Sequence, residues 1–219
     1  MGSGNFDPST QIFGRVGEAN AGGAGAALPM RLDRNGATVV TGAHGYYCEA
    51  SRNGRLFMAH AIVTAPVIYT TAAGTGGPLL WNGSNPGAGG VTANIIAVGF
   101  GVTVVTTVAA ALGITGATGQ AVAPTATTAI DSSGNLLVGG PKSLCTAYRI
   151  GTPLSVGSFF LPFAGLDTGA LTTNFGGVNW IVLDGMVTVA PNSWASVAAS
   201  ATASTTVASI AMVWEEIPN

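Results

Sequence analysis

The sequence predicts an all-β chain, folded as a jelly-roll-like β-sandwich with an extended N-terminal arm. Three observations lead there. Many short runs rich in Val, Ile, Thr and Ala are separated by turn residues drawn from 33 glycines and 11 prolines, and small or β-branched residues suit pleated sheet better than helix. No window longer than about two turns keeps an apolar face at i, i+3, i+4, i+7 with charge opposite. The length, 219 residues, suits one sandwich with a full-sized core. The expected division is an arm over residues 1–28 and one domain over 29–219.

The elements follow in chain order. In residues 1–28 glycines interrupt every apolar cluster, so the segment holds no core alone; Ile12, Phe13 and Val16 are its anchors for a neighbour. Asn35-Gly36 separates 30–34 from 37–41, and Asn53-Gly54 separates 46–52 from 55–63. Asn-Gly between apolar runs signals a type I′ hairpin, whose central residues both need positive φ. Residues 74–90 read as a Gly/Asn/Pro loop anchored by Leu79, Leu80 and Trp81, and long uncharged strands fill 91–114. A polar connection then reaches a turn at Ser133-Gly134-Asn135. Further strands are expected at 145–150, 156–161 and 178–183, with Asp184-Gly185 turning the chain into 186–190 and Pro191-Asn192-Ser193 turning it into 194–199. In the final run Ala208, Ile210, Met212 and Trp214 share one face at period two, with Ser209, Ala211, Val213 and Glu215 on the other.

Charge is the most unusual property of the chain. Only 7% of residues are charged, against roughly 25% in an ordinary soluble domain, and none of Lys, Arg, Asp or Glu occurs between Leu56 and Ile130. A surface this poor in ions is expected to meet other protein. Net charge is −2, which offers no basic footprint for nucleic acid. The apolar stretch 91–115 contains Asn94, Thr103, Thr106 and Thr107 and lacks flanking Lys or Arg, so it reads as buried strands and no membrane partner is expected. Residues 1–20 show neither a secretory nor an organelle-import pattern. Cys48 and Cys145 are expected as buried, reduced thiols.

Catalytic chemistry finds little to stand on, and no enzyme activity, cofactor or metal is expected. His44 with Cys48 and Glu49 is the nearest approach to a ligand cluster, but neither His44 nor His60 has the close partner of a His-x-His or His-x-carboxylate site. His60 reads as a satisfied core or interface residue. Gly139-Gly140-Pro141-Lys142-Ser143 departs from a phosphate loop because Pro141 intrudes, and it reads as a surface turn. Asn82-Gly83-Ser84 is a turn in the same sense, while Asp131, Asp167 and Asp184 stand beside turn residues, where Asp is expected for backbone reasons. One charged group does gather: Arg31, Asp33, Arg34, Glu49, Arg52 and Arg55, four of the seven cations among them. Arg forks there would meet carboxylates or carbonyls of a partner.

The segment LPMRLDRNGATVVTGAHGYYCEASRNGRLFMAH at 28–60 and the ending SIAMVWEEIP resemble parts of structural proteins of tailed bacteriophages, notably capsid cement or decoration proteins with jelly-roll domains. The resemblance implies a non-enzymatic virion component, assembled in the bacterial cytoplasm. Its partners would be copies of itself, as a homotrimer, and the phage major capsid protein. It carries over no catalytic residues. Trp180, Trp194, Trp214, Phe159, Phe160 and Phe163 are then candidate core or subunit-contact anchors. The alternative expectation is a receptor- or carbohydrate-binding sandwich of a tail or fibre, with Trp81 and Asn82 as a sugar platform.

Overall fold

The computed structural model describes residues 12–15, 27–30, 47–64, 75–104, 110–166, 179–201 and 207–219. Contacts divide the chain into two units, Met1–Tyr46 and Tyr47–Asn219. In the first unit, β1 (Ile12–Arg15) pairs antiparallel with β2 (Ala27–Met30), so β2 runs across the boundary expected after residue 28. The hairpin expected about Asn35-Gly36 lies outside the described residues.

Among its described residues the second unit contains a five-residue helix, α1 (Cys48–Arg52), and eleven strands: β3 (Leu56–Thr64), β4 (Thr75–Asn82), β5 (Val91–Val104), β6 (Ala110–Thr118), β7 (Thr125–Ala129), β8 (Ser132–Asn135), β9 (Thr146–Thr152), β10 (Phe159–Leu166), β11 (Asn179–Val189), β12 (Ser193–Ala199) and β13 (Val207–Pro218). They form two antiparallel sheets packed as a sandwich, ordered β11-β5-β13-β3-β8 and β10-β6-β12-β4-β9-β7. Without β7, β8 and β9, the orders reduce to β3-β13-β5-β11 and β4-β12-β6-β10. These eight strands change sheet at every step along the chain except from β6 to β10, the interleaving of two Greek keys that defines a jelly roll. The three remaining strands are an insertion that widens both sheets at the β3/β4 edge: β8 pairs β3, β9 pairs β4, and β7 pairs β9.

Alternation builds the core. Phe57, Ala59, Ala61 and Val63 of β3 point inward beside Trp214, Met212, Ile210 and Ala208 of β13, and Ile95 and Val98 of β5 continue the layer. Leu80, Ile114, Ala195 and Val197 meet them from the six-stranded sheet. Phe57 and Trp214 stack with ring centroids 6.0 Å apart. The face predicted for the last strand is therefore the buried one.

At its centre the six-stranded sheet is covered on both faces. Every residue of β12 is buried, including Trp194, Ser196 and Ala198, which alternate with the core-facing Ala195 and Val197. Connecting segments account for this second layer. Gln120, fully buried, accepts from Leu154 N–H through its side chain (2.7 Å) and from Trp81 Nε1 through its carbonyl (2.9 Å). Ser158 N–H donates to Gly116 O at 2.8 Å.

Five local expectations are corrected. Residues 48–52 are helical rather than extended, and Asn53-Gly54 ends that helix: Gly54 N–H donates to Ser51 O and Arg55 N–H to Ala50 O, both at 2.9 Å, with Gly54 at φ +66°. That pair of bonds is a Schellman cap, which needs one left-handed residue where a I′ turn needs two. The segment read as a loop at 74–90 contains β4, because Leu79 and Leu80 are fully buried, and Pro78 lies where the β4/β9 register shifts. Ser133-Gly134-Asn135 is strand β8, organised by pairing with β3. The strand begun at 156 starts at Phe159. Asp184-Gly185 (φ 46° and 77°) lies within the single strand β11, as an excursion between Val182 and Val187.

Candidate functional site

Of the proposed charged patch, Arg31, Asp33 and Arg34 lie outside the described residues, as does the side chain of Glu49. Ile12 and Phe13 fall in β1, and their side chains also lie outside the description. Arg52 ends α1 and is exposed. Arg55 forms an ion pair with Glu215 at 3.3 Å, so this fork is engaged within the chain.

The aromatic candidates separate into two groups. Trp194 and Trp214 are fully buried, and Phe163 packs on the core against Phe100. Phe160 is half-buried, its ring against Gly113. Trp180 and Phe159, in contrast, are 53% and 41% exposed. Trp180 lies over Gly99 on the outer face of the five-stranded sheet; a Cβ there would meet the indole at 3.0 Å, so the absence of a side chain at Gly99 is what lets the ring lie flat.

That outer face is the largest feature the charge deficit leads to. Paired residues form rows across it: Val182–Ala97–Val213–Met58, Trp180–Gly99–Ala211–His60, and Gly101–Ser209–Ile62. No residue in the three rows is charged. His60 Nε2 and Ser209 Oγ are 2.8 Å apart, a hydrogen bond that engages this ring nitrogen. α1 closes one end of the face, packing Ala50 with Leu56 and Ile96, and Tyr47 O–H donates to Asp184 Oδ1 at 2.6 Å across to the β11 excursion.

A second feature arises from the insertion. The connection from β8 to β9 walls a cleft of about 640 Å³ whose floor is Phe57 and Trp214, with Ser133 and Gly134 of β8 on one side and Thr146 and Ala147 of β9 on another. The loop is held rigidly. Asn135 Nδ2 donates to Gly54 O (2.7 Å) and Pro141 O (3.0 Å), Asn135 Oδ1 accepts from Leu137 N–H (2.8 Å), and Gly140 N–H donates to Leu137 O (2.8 Å). Farther along, the buried Glu216 carboxylate accepts from Ser143 Oγ, from the N–H of Leu144 and Cys145 (both 3.1 Å), and from Trp214 Nε1 (3.3 Å). Burial, then the charge of Glu216 and a hydrogen bond to it, push the Cys145 thiol well above its ordinary pKa. A thiol so held is a poor nucleophile.

The remaining candidates are engaged structurally. Asp131 accepts from Ile62 N–H (2.6 Å) and pairs with Arg149 (3.4 Å), while Asp167 and His44 lie outside the described residues. Among the described residues no three of His, Cys, Asp and Glu come together as a metal site. Both cysteines are free; Cys145 is buried and Cys48 only half-buried. Asn82 is fully buried, its amide donating to Val91 O (2.8 Å) and Val189 O (2.9 Å). No described helix is long and apolar enough to cross a membrane.

Sequence reasoning found Gly139 to Ser143 as a surface turn but missed what it builds. The apolar triplet Leu136-Leu137-Val138, bracketed by Asn135 and Gly139-Gly140-Pro141, was the available signal. Comparison with protein-family models, with curated proteins and with solved structures finds no match.

Proposed function

We propose that this chain is a non-enzymatic virion structural protein that cements or decorates a phage capsid. In this reading it acts through contacts with copies of itself, as a homotrimer, and with the major capsid protein. The observation that carries the reading is the outer face of the five-stranded sheet, whose three uncharged rows are bordered by exposed Trp180, Val182 and Ile62. Such a face loses little polar solvation when covered, and contiguous exposed apolar surface marks contact sites. The jelly-roll order supports it as a scaffold whose sheets offer broad surfaces for packing.

The alternative sugar platform finds less support in its polar groups. Asn82 is fully buried, and the Trp81 indole N–H is already bonded to Gln120 O. Sedimentation equilibrium tests the proposal. The expected mass is three times the 21.6 kDa of one chain; a chain that stays monomeric at the highest concentration reached overturns it.

A further inference from the structure

Among the described residues four strands stand at sheet edges: β8 and β11 in the five-stranded sheet, β7 and β10 in the six-stranded one. An edge strand offers unpaired N–H and C=O groups to any extended chain that meets it. Three of these edges are short or broken. β8 is four residues long, β10 shifts register between Pro162 and Ala164, and β7 shifts on both sides of Thr128 with Ala126 at φ +48°.

β11 differs in length and composition. Its eleven residues are Trp, Ile, Val, Leu, Met and Thr apart from Asn179, Asp184 and Gly185, a pattern that invites pairing between chains when it lies straight. It does not lie straight. Val182 pairs with Ala97 and the next paired residue is Val187, with Ile95, so Leu183–Met186 leave the ladder and divide it into 179–182 and 187–189. Asp184 and Gly185 hold left-handed φ values of 46° and 77°, outside any strand conformation. Tyr47 O–H donates to Asp184 Oδ1 at 2.6 Å and fixes the turn. Asp184 is exposed, and it is the only Asp, Glu, Lys or Arg from residue 168 to residue 214.

We infer that Asp184-Gly185 is a guard on the β11 edge, which keeps that edge from accepting a strand of another chain. The turn denies an incoming strand a continuous ladder, and docking would press the carboxylate against it at a desolvation cost. The guard acts whatever the sheet faces contact, so it stands apart from the assembly reading.

The test moves the charge without changing the total. Asp184→Asn keeps an acceptor for Tyr47 and a residue type that tolerates left-handed φ. Combined with Asn85→Asp, at an exposed site whose Oδ1 accepts from Gly87 N–H in either form, it leaves the net charge at −2. Thioflavin fluorescence and light scattering should show aggregation several-fold faster than in the native chain or in Asn85→Asp alone, at unchanged melting temperature. A second variant lacks Leu183–Met186, so that the Val187–Ile95 pair follows Val182–Ala97 directly, as Trp214–Ile95 follows Val213–Ala97 on the other flank of β5. It should aggregate faster still. In the associated form of both variants, hydrogen–deuterium exchange across 179–189 should be slower than in the soluble form. A charge-moved chain that aggregates no faster than the native one overturns the guard, and so does association without slowed exchange in β11. The charge-moved chain keeps every core residue, so its result decides the matter even where loss of the buried Leu183 unfolds the shortened one.

Discussion

Glu216 shows how one residue ties the insertion to the jelly roll. Its carboxylate collects Ser143, Leu144, Cys145 and Trp214 donors, drawn from β13 itself and from a segment more than 70 residues earlier. Hydrogen bonds to a charged acceptor are the stronger kind. Its inward position was legible, since extending the alternation of Ala208 to Trp214 by one step places residue 216 on the buried face. Its partners were not, because nothing local in 143–145 announces a distant carboxylate. The same cluster sets a pH dependence. With the Cys145 thiol raised by burial and by Glu216, the unfolded chain loses this proton first. The stabilisation is thus full below the ordinary thiol pKa of about 8.5 and falls as pH rises above it, by at most about 1.4 kcal/mol per pH unit. Urea unfolding from pH 7 to 10 should show a steeper loss in the native chain than in Cys145→Ala.

At the scale of elements, identical turn chemistry gives different structures. Asn53-Gly54 caps a helix with a single positive φ, whereas Asp184-Gly185 supplies two and bends one strand outward. Sequence shows that glycine must sit there, and the third dimension decides which motif uses it. β8 illustrates the converse: Ser-Ser-Gly-Asn has no strand preference, yet β3 offers it a ladder from Phe57 to His60. Long strands with strong alternation, β3 and β13, were readable; β4 was obscured by Gly77 and Pro78. Gly54 carries a clear prediction. A Cβ there would sit 2.7 Å from Pro141 Cδ, at φ +66°. Gly54→Ala should therefore cost about 1–2 kcal/mol in backbone strain alone, with any contact strain added. Asn53→Ala, exposed and without positive φ, should cost clearly less in the same denaturant series.

Over the whole molecule, the scarcity of charge and the β-sandwich belong to one design. The five-stranded sheet leaves an outer field of Gly, Ala, Ser and Val between Ile62 and Trp180, while connections cover the six-stranded sheet at its central strand β12. Composition foretold the deficit of ions, and the strand and turn pattern foretold the sandwich; which face is covered depended on connections at 119–124 and 153–158, whose packing has no periodic signature. Strand β13 joins β5 to β3 at the middle of the five-stranded sheet, with Ala208, Ile210, Met212 and Trp214 in the core. A chain lacking residues 207–218 should show no cooperative thermal transition by circular dichroism; a sharp melt would refute this account of the sheet.

That central position also shapes biogenesis. On a ribosome, the β3/β8 and β5/β11 pairs can form only as separate halves with unpaired inner flanks until the segment that bridges them emerges. Unpaired flanks of this kind invite pairing with strangers, so the interval between making β11 and delivering β13 is when a nascent polypeptide would benefit most from a chaperone's shelter.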